Sequence, residues 1–250
     1  MDALSLHIDL TAPRSWNELD DQQLRYVFGL IASGVTSEEL KATCLLHWGG
    51  IDVIGKAPNG AYLIATGDKE AELKPTALAE ALPALDWLSD LPQRPVRLSQ
   101  IGDAQALPAD FLGVPFQTYM ICENLYQGFL HSQRNELLDQ LAAALYGKEM
   151  RLTEEERISV FYWMASLKSF LSARFKDFFQ PVEESASLLG SPTDIGAQLQ
   201  ESMDAQIRAL TKGDITKEAE ILKLDTWRAL TELNAQAKEY HQLNKQIKPH

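Results

Sequence analysis

Three times along the chain a serine or threonine stands three residues ahead of a glutamate: Ser15 before Glu18, Thr36 before Glu39, and Thr153 before Glu156. At that spacing the hydroxyl can accept from an amide of a first helical turn while the carboxylate reaches back to the capping residue, so each triplet predicts a helix start. The text behind each agrees. Over residues 20–33, Leu24, Val27, Phe28 and Ile31 recur at three- and four-residue spacing, one stripe of a helix, and Gly34 can take the left-handed turn that closes it. Thr36 opens a second helix carrying Leu40, Cys44 and His47, which Gly49-Gly50 stops, so the first two helices form a hairpin.

The periodicity then changes. IDVIGK and AYLIAT are short runs rich in branched and aromatic residues, joined through Ala57-Pro58-Asn59-Gly60, whose Asn-Gly accepts positive φ; they predict a β-hairpin near 51–66. EAELK offers a third strand, and PVRLSQ near residue 97 a fourth. Residues 76–89 have helical composition, but Pro83 removes an amide donor, which predicts a kink or two short helices. Loop is expected up to about Pro115, then helices over 115–131 and 133–146, the second capped by Ser132.

Thr153 starts a helix expected to run to Phe179, in which Val160, Trp163, Met164, Leu167, Leu171, Phe175 and Phe178 fill a sector too broad for a surface stripe. It is read as a central core helix. Pro181 ends it, and the Ser-, Gly-, Pro- and acid-rich text that follows predicts a linker at 183–194. Beyond it, Ile195, Leu199, Met203, Ile207 and Leu210 form one stripe, Gly213 closes that helix, and Thr216 caps a last helix from 217 to 244. The expected fold is therefore mainly α (α+β): a helical domain over 1–182 with a small antiparallel sheet, a linker over 183–194, and a C-terminal helical hairpin over 195–250.

Charge narrows the partners. The net charge of -12 opposes binding to a phosphate backbone or an anionic membrane surface, since such affinity comes from lysine and arginine. No nucleic-acid or membrane partner is expected; another protein is, in an unspecified oligomeric state. No apolar run reaches the roughly 18 residues that a membrane helix needs, and MDALSLHIDL lacks the marks of an export signal. With Cys44 and Cys122 embedded in apolar text, a reducing cytoplasm fits best.

No catalytic residue, cofactor or metal site is predicted. Cys44 and His47 share a helix face but make only half of a zinc ligand set, and packing explains them better. Asp52, Asp68, Asp103 and Asp110 fit turn chemistry. His7, His131, His241 and His250 sit in unrelated contexts, and none suggests a general base. None of the Gly-rich phosphate loops, nucleophile elbows or zinc-protease signatures occurs. Tyr119, Tyr126, Phe129, Tyr146, Phe161, Tyr162 and Trp163 make the central helices aromatic, which suits a core first and a ligand pocket second.

The last helix presents an anomaly. Leu222, Thr226, Ala229, Leu230, Leu233, Ala237 and Tyr240 share one face, yet Ile221 and Leu224 project from the other, with Trp227 at the margin. One partner helix cannot cover both faces. Docking on the first domain is one account; the other is a partner-binding set formed by Ile221, Leu224 and Trp227.

The segments WNELDDQQLRYVFGLI, FLGVPFQTYMICENLYQGFL, RISVFYWMASLKSFLSARF and MDAQIRALTKGDITKEAEILKLDTWRALTELNAQAKEY resemble an uncharacterised family of Bacteroidales-type prophage proteins. The resemblance implies a place among phage tail-assembly genes: a noncatalytic phage structural protein or tail-assembly chaperone in the host cytoplasm or the virion, acting by protein binding. A bacterial adaptor that binds a host protein, and an enzyme with an unfamiliar site, are the alternatives.

Overall fold

A computed structural model describes residues 12–180 and 195–247 of the chain. The fold is mainly α with a small antiparallel sheet, and the chain divides into two compact units, 1–92 and 93–250. The division falls at residue 92, and the linker expected at 183–194 lies outside the described residues.

In the first unit, α1 (Asp21–Ala32) and α2 (Ser37–Trp48) form the expected hairpin, turned by Gly34 at φ 73°. The Thr36–Glu39 capping box is present, but the first helix is capped by Asp20 and Gln23 instead of Ser15 and Glu18. Ser15 heads only a single 3-10 turn (Trp16–Glu18) with no side-chain cap. Strands β1 (Asp52–Lys56), β2 (Tyr62–Thr66) and β3 (Lys69–Leu73) pair antiparallel in sequence order. Alternate residues Ile64 and Leu73 turn inward with Ile51, against Leu46 and Leu78, so one face of the sheet is dry. Past α3 (Pro75–Ala81) the chain tightens at Pro83 into a 3-10 stretch (Leu82–Ser89), the expected interruption. Trp87 of this stretch stacks on Trp48 of α2, at 6.3 Å between ring centroids.

The second unit opens with a long irregular segment in which Val96, Leu98, Phe111 and Val114 are buried. The fourth strand expected near residue 97 is not part of the sheet: Gln100–Ile101 (β4) pairs only with Ala104–Gln105 (β5). Pro92 and Pro95 deprive the preceding backbone of ladder donors. α4 (Phe116–Ser132) and α5 (Asn135–Tyr146) lie against each other, and a Cβ on Gly128 would stand 3.3 Å from Leu137 Cδ1, so glycine permits the close approach. Ser132 does not cap α5; it ends α4, and its hydroxyl donates back to the Gly128 carbonyl at 2.8 Å.

The central core helix is α6 (Glu154–Arg174), headed by the Thr153–Glu156 box, with Val160, Trp163, Met164, Leu167 and Leu171 fully enclosed. It stops short of the expected end, because Phe175 leaves helical geometry before the four-residue α7 (Lys176–Phe179). α8 (Ile195–Thr211) follows, and Gly213 closes it at φ 81°. The last expected helix is broken. Asp214 rather than Thr216 caps a 3-10 turn, α9 (Glu218–Ile221) is one turn long, and α10 (Thr226–Ile247) starts afresh with Asp225 accepting from the Arg228 amide at 3.0 Å. Among the described residues no helix is long and apolar enough to cross a membrane.

Candidate functional site

The break between α9 and α10 answers the anomaly in the sequence. α4 begins after Pro115, which has no side chain able to cap it, so the first amides of α4 need acceptors from elsewhere. The Leu224 carbonyl accepts from the Phe116 amide at 2.7 Å and the Leu222 carbonyl from the Gln117 amide at 3.0 Å. Asp225 accepts from the Gly113 amide at 2.6 Å, and the Thr226 amide and hydroxyl both donate to the Val114 carbonyl at 2.8 Å. A continuous helix would have spent those carbonyls internally.

Ile221 and Leu224 are half-buried in this connection, so the helical wheel that placed them opposite Leu222 does not describe them. Trp227 begins α10 half-buried, its ring 5.9 Å from that of Phe170 and 5.7 Å from that of Phe175, its N–H donating to the Asp110 carbonyl at 2.8 Å. Trp227 is thus engaged inside the second unit, and none of the three residues lines the cavity that α8 and α10 border.

That cavity, about 700 Å³, is walled by α4, α6, α7, α8 and α10. Phe178, Phe179, Met203, Ala209, Leu233 and Ala237 supply an apolar lining. Ser202 to Ala209 on α8 and Leu233 to His241 on α10 border it for about two helical turns, roughly 10–12 Å at the helical rise, so the opening is elongated. An ion pair between α4 and α6 lies in its wall. Glu123 Oε1 accepts from Gln127 Nε2 at 2.8 Å and from Lys168 Nζ in an ion pair. Glu123 Oε2 is buried and has no donor, and Gln206 Oε1 on α8 is in the same condition.

Five buried side-chain nitrogen or oxygen atoms lack a partner among the described residues: Trp48 Nε1, Trp87 Nε1, Arg97 Nε, Glu123 Oε2 and Gln206 Oε1. The first three are donors; the two acceptors line one cavity. Burial of such a group without a partner costs about 1–3 kcal/mol, and more for a charged one.

Burial dominates the electrostatics here. Burial pushes the Tyr119 hydroxyl well above the ordinary tyrosine range, and the nearby charge of Glu123 pushes the same way. Burial, with Glu123 adding to it, raises the neighbouring Cys122 thiol to about 12, and burial alone raises Cys44 to about 12. Both thiols are held in the neutral, unreactive form. At the other end of the cavity, Asn234 accepts from the Phe178 amide at 3.1 Å, and a His241 ring nitrogen lies 3.2 Å from the Asp177 carbonyl, tying α7 to α10.

The other sequence candidates scatter. Cys44 is buried, whereas His47 on the same helix is exposed and stacks on Tyr26 at 3.8 Å. Asp103 pairs with Lys148 at 2.7 Å, Asp110 accepts from the Leu112 amide at 3.1 Å, and Asp52 lies in β1. Of the aromatic set, Tyr119 alone lines the cavity; Trp163 and Tyr146 are core, donating to the Ala109 and Leu98 carbonyls at 2.8 and 2.9 Å. Sequence reasoning missed Glu123, Lys168 and Gln206. The available signal was Glu123 itself, an acid set inside the apolar run YMICENLY. No family model, curated protein or solved structure matches the chain.

Proposed function

We propose that the chain is a noncatalytic binding protein whose second unit receives a segment of another protein in the cavity between α8 and α10. The carrying observation is the elongated, largely apolar cleft that α8 and α10 border for about two helical turns. The volume falls in the range of ligand sites, roughly 300–1,000 Å³. The two-turn borders suit an extended run of side chains, as in helix-in-groove recognition. The prophage resemblance supplies the setting: tail assembly in the host cytoplasm, as a structural protein or chaperone. Ile221, Leu224 and Trp227, the contact set expected from the sequence, serve in this reading to seat α10 as a wall of the cleft.

The test fills the cavity. Ala237→Phe and Ala205→Trp variants should keep the wild-type circular dichroism spectrum and lose binding to purified tail proteins of the same prophage. Unchanged binding by both variants would remove the cleft from the function, and wild-type protein that binds no tail protein would remove the setting.

A further inference from the structure

Asn59 is the only asparagine of the chain that glycine follows, and it lies exposed in the turn between β1 and β2. The turn itself requires the pair, since Gly60 takes φ 85°. The same pair is prone to deamidation, because a glycine has no side chain to keep its backbone nitrogen away from the preceding side-chain amide. In that reaction the Gly60 nitrogen attacks Asn59 Cγ and Nδ2 leaves. All of these groups are engaged in the folded turn. The Gly60 amide donates to the Ala57 carbonyl at 2.9 Å, Asn59 Oδ1 accepts from the Ala61 amide at 3.0 Å, and Nδ2 donates to Glu72 Oε2 on β3 at 3.0 Å. The first bond holds the nucleophile on another carbonyl. The other two hold the side-chain amide at both ends, so turning Cγ toward Gly60 would break them. Glu72 also keeps an acceptor on a nitrogen that must gain a proton to leave.

We propose that Asn59 is a modification site that the folded hairpin keeps silent and that opening of the first unit releases. On opening, a bond forms between the Gly60 nitrogen and Asn59 Cγ, the bond from Cγ to Nδ2 breaks, and Nδ2 departs as ammonia with the proton that Gly60 gives up. Water then opens the cyclic imide at either carbonyl, which yields aspartate or isoaspartate. No other reactant is consumed. Neither product restores the turn. Aspartate sets a carboxylate against Glu72 where a 3.0 Å hydrogen bond had stood, and like charges across neighbouring strands are destabilising. Isoaspartate lengthens the backbone of the turn. A chain that has once opened its first unit therefore keeps a lasting mark and a weaker sheet.

The experiment incubates the full chain at mildly alkaline pH with and without guanidinium chloride and follows Asn59 by mass spectrometry of the tryptic fragment 57–69. Conversion should be at least about tenfold slower in the folded chain, because it must wait for the turn to open. Glu72→Ala, at an exposed position, should raise the folded-state rate about three- to tenfold, the worth of one hydrogen bond. Glu72→Gln keeps an acceptor there and should stay near the wild-type rate, which separates the lost bond from a folding defect at that position. Asn59→Asp should unfold at a lower denaturant concentration than wild type. Equal rates with and without denaturant, no conversion in the unfolded chain, or a Glu72→Ala rate equal to wild type overturns the guarded site. An Asn59→Asp chain as stable as wild type overturns the weakened sheet.

Discussion

Two regions of the second unit, both mixing apolar with polar groups, fill their volume differently. Around Trp163 the rings of Phe111 and Tyr146 meet it edge-on at 6.2 and 5.8 Å, and Arg97 lies over its face at 5.7 Å. There the Trp163 N–H and the Tyr146 hydroxyl each end on a backbone carbonyl. Around Glu123 the rings of Phe178 and Phe179 face open volume, and two oxygens end on nothing. The first arrangement fills its volume within the chain, although Arg97 Nε has no partner among the described residues. The second leaves volume unfilled, and that open volume separates a cleft from a core.

The comparison is broken most forcefully at Trp163. Trp163→Ala should destabilise the second unit by about 3–5 kcal/mol, the range for deleting a large buried aromatic, read from urea unfolding. A loss below about 1 kcal/mol would mean that this region is not the closed core described. Next comes Asp225, which both caps α10 and accepts from the Gly113 amide. Asp225→Ala should cost about 1–2 kcal/mol on capping grounds, and amide exchange should quicken at Phe116 and Gln117, whose acceptors lie in the same connection. Exchange unchanged at those amides would detach the helix break from the start of α4.

At the cavity the sign should reverse. Gln206→Met removes an unsatisfied acceptor, so stability should hold or rise by up to about 1 kcal/mol. A loss comparable to that at Asp225 would show that Gln206 is a structural group. The smallest effect concerns Cys122 and Cys44. Their raised thiols add stability that is fully present below the ordinary thiol value and is lost as pH climbs from there toward about 12. At pH 8 neither should react with Ellman's reagent in the folded protein, and both should react after denaturation. Rapid native labelling of Cys122 would place it in an open cleft instead of the packed side of α4.

Much of the helical text was legible because its signals are local. At Thr36 and Thr153 the cap, the acidic partner and the first apolar residues lie within one turn, and the predicted starts match the observed ones. Ser15 misled because Asp20 and Gln23 offer a rival box of the same spacing, nearer to the stripe that needs burial. The end of α6 and the break before α10 left weaker traces, since neither Phe175 nor the run Leu222–Asp225 contains proline or glycine. The candidate site was almost illegible. Its parts come from positions 119–124, 168, 177–180, 202–209 and 233–241, and only the misplaced acid Glu123 marked it.

Alone, the order of residues determined where most helices begin, that a hairpin of short strands interrupts them, and which faces must be dry, because capping, turn chemistry and periodicity act within a few residues. Tertiary structure decided the rest. Amides at the start of α4 drew the carbonyls of Leu222 and Leu224 out of a helix that local preference would have continued. Long-range packing likewise brought Glu123 and Gln206 to one cavity. Hydrogen-bond demand between distant segments carries no periodic signature, so only the folded chain could reveal where it is met and where it is left open.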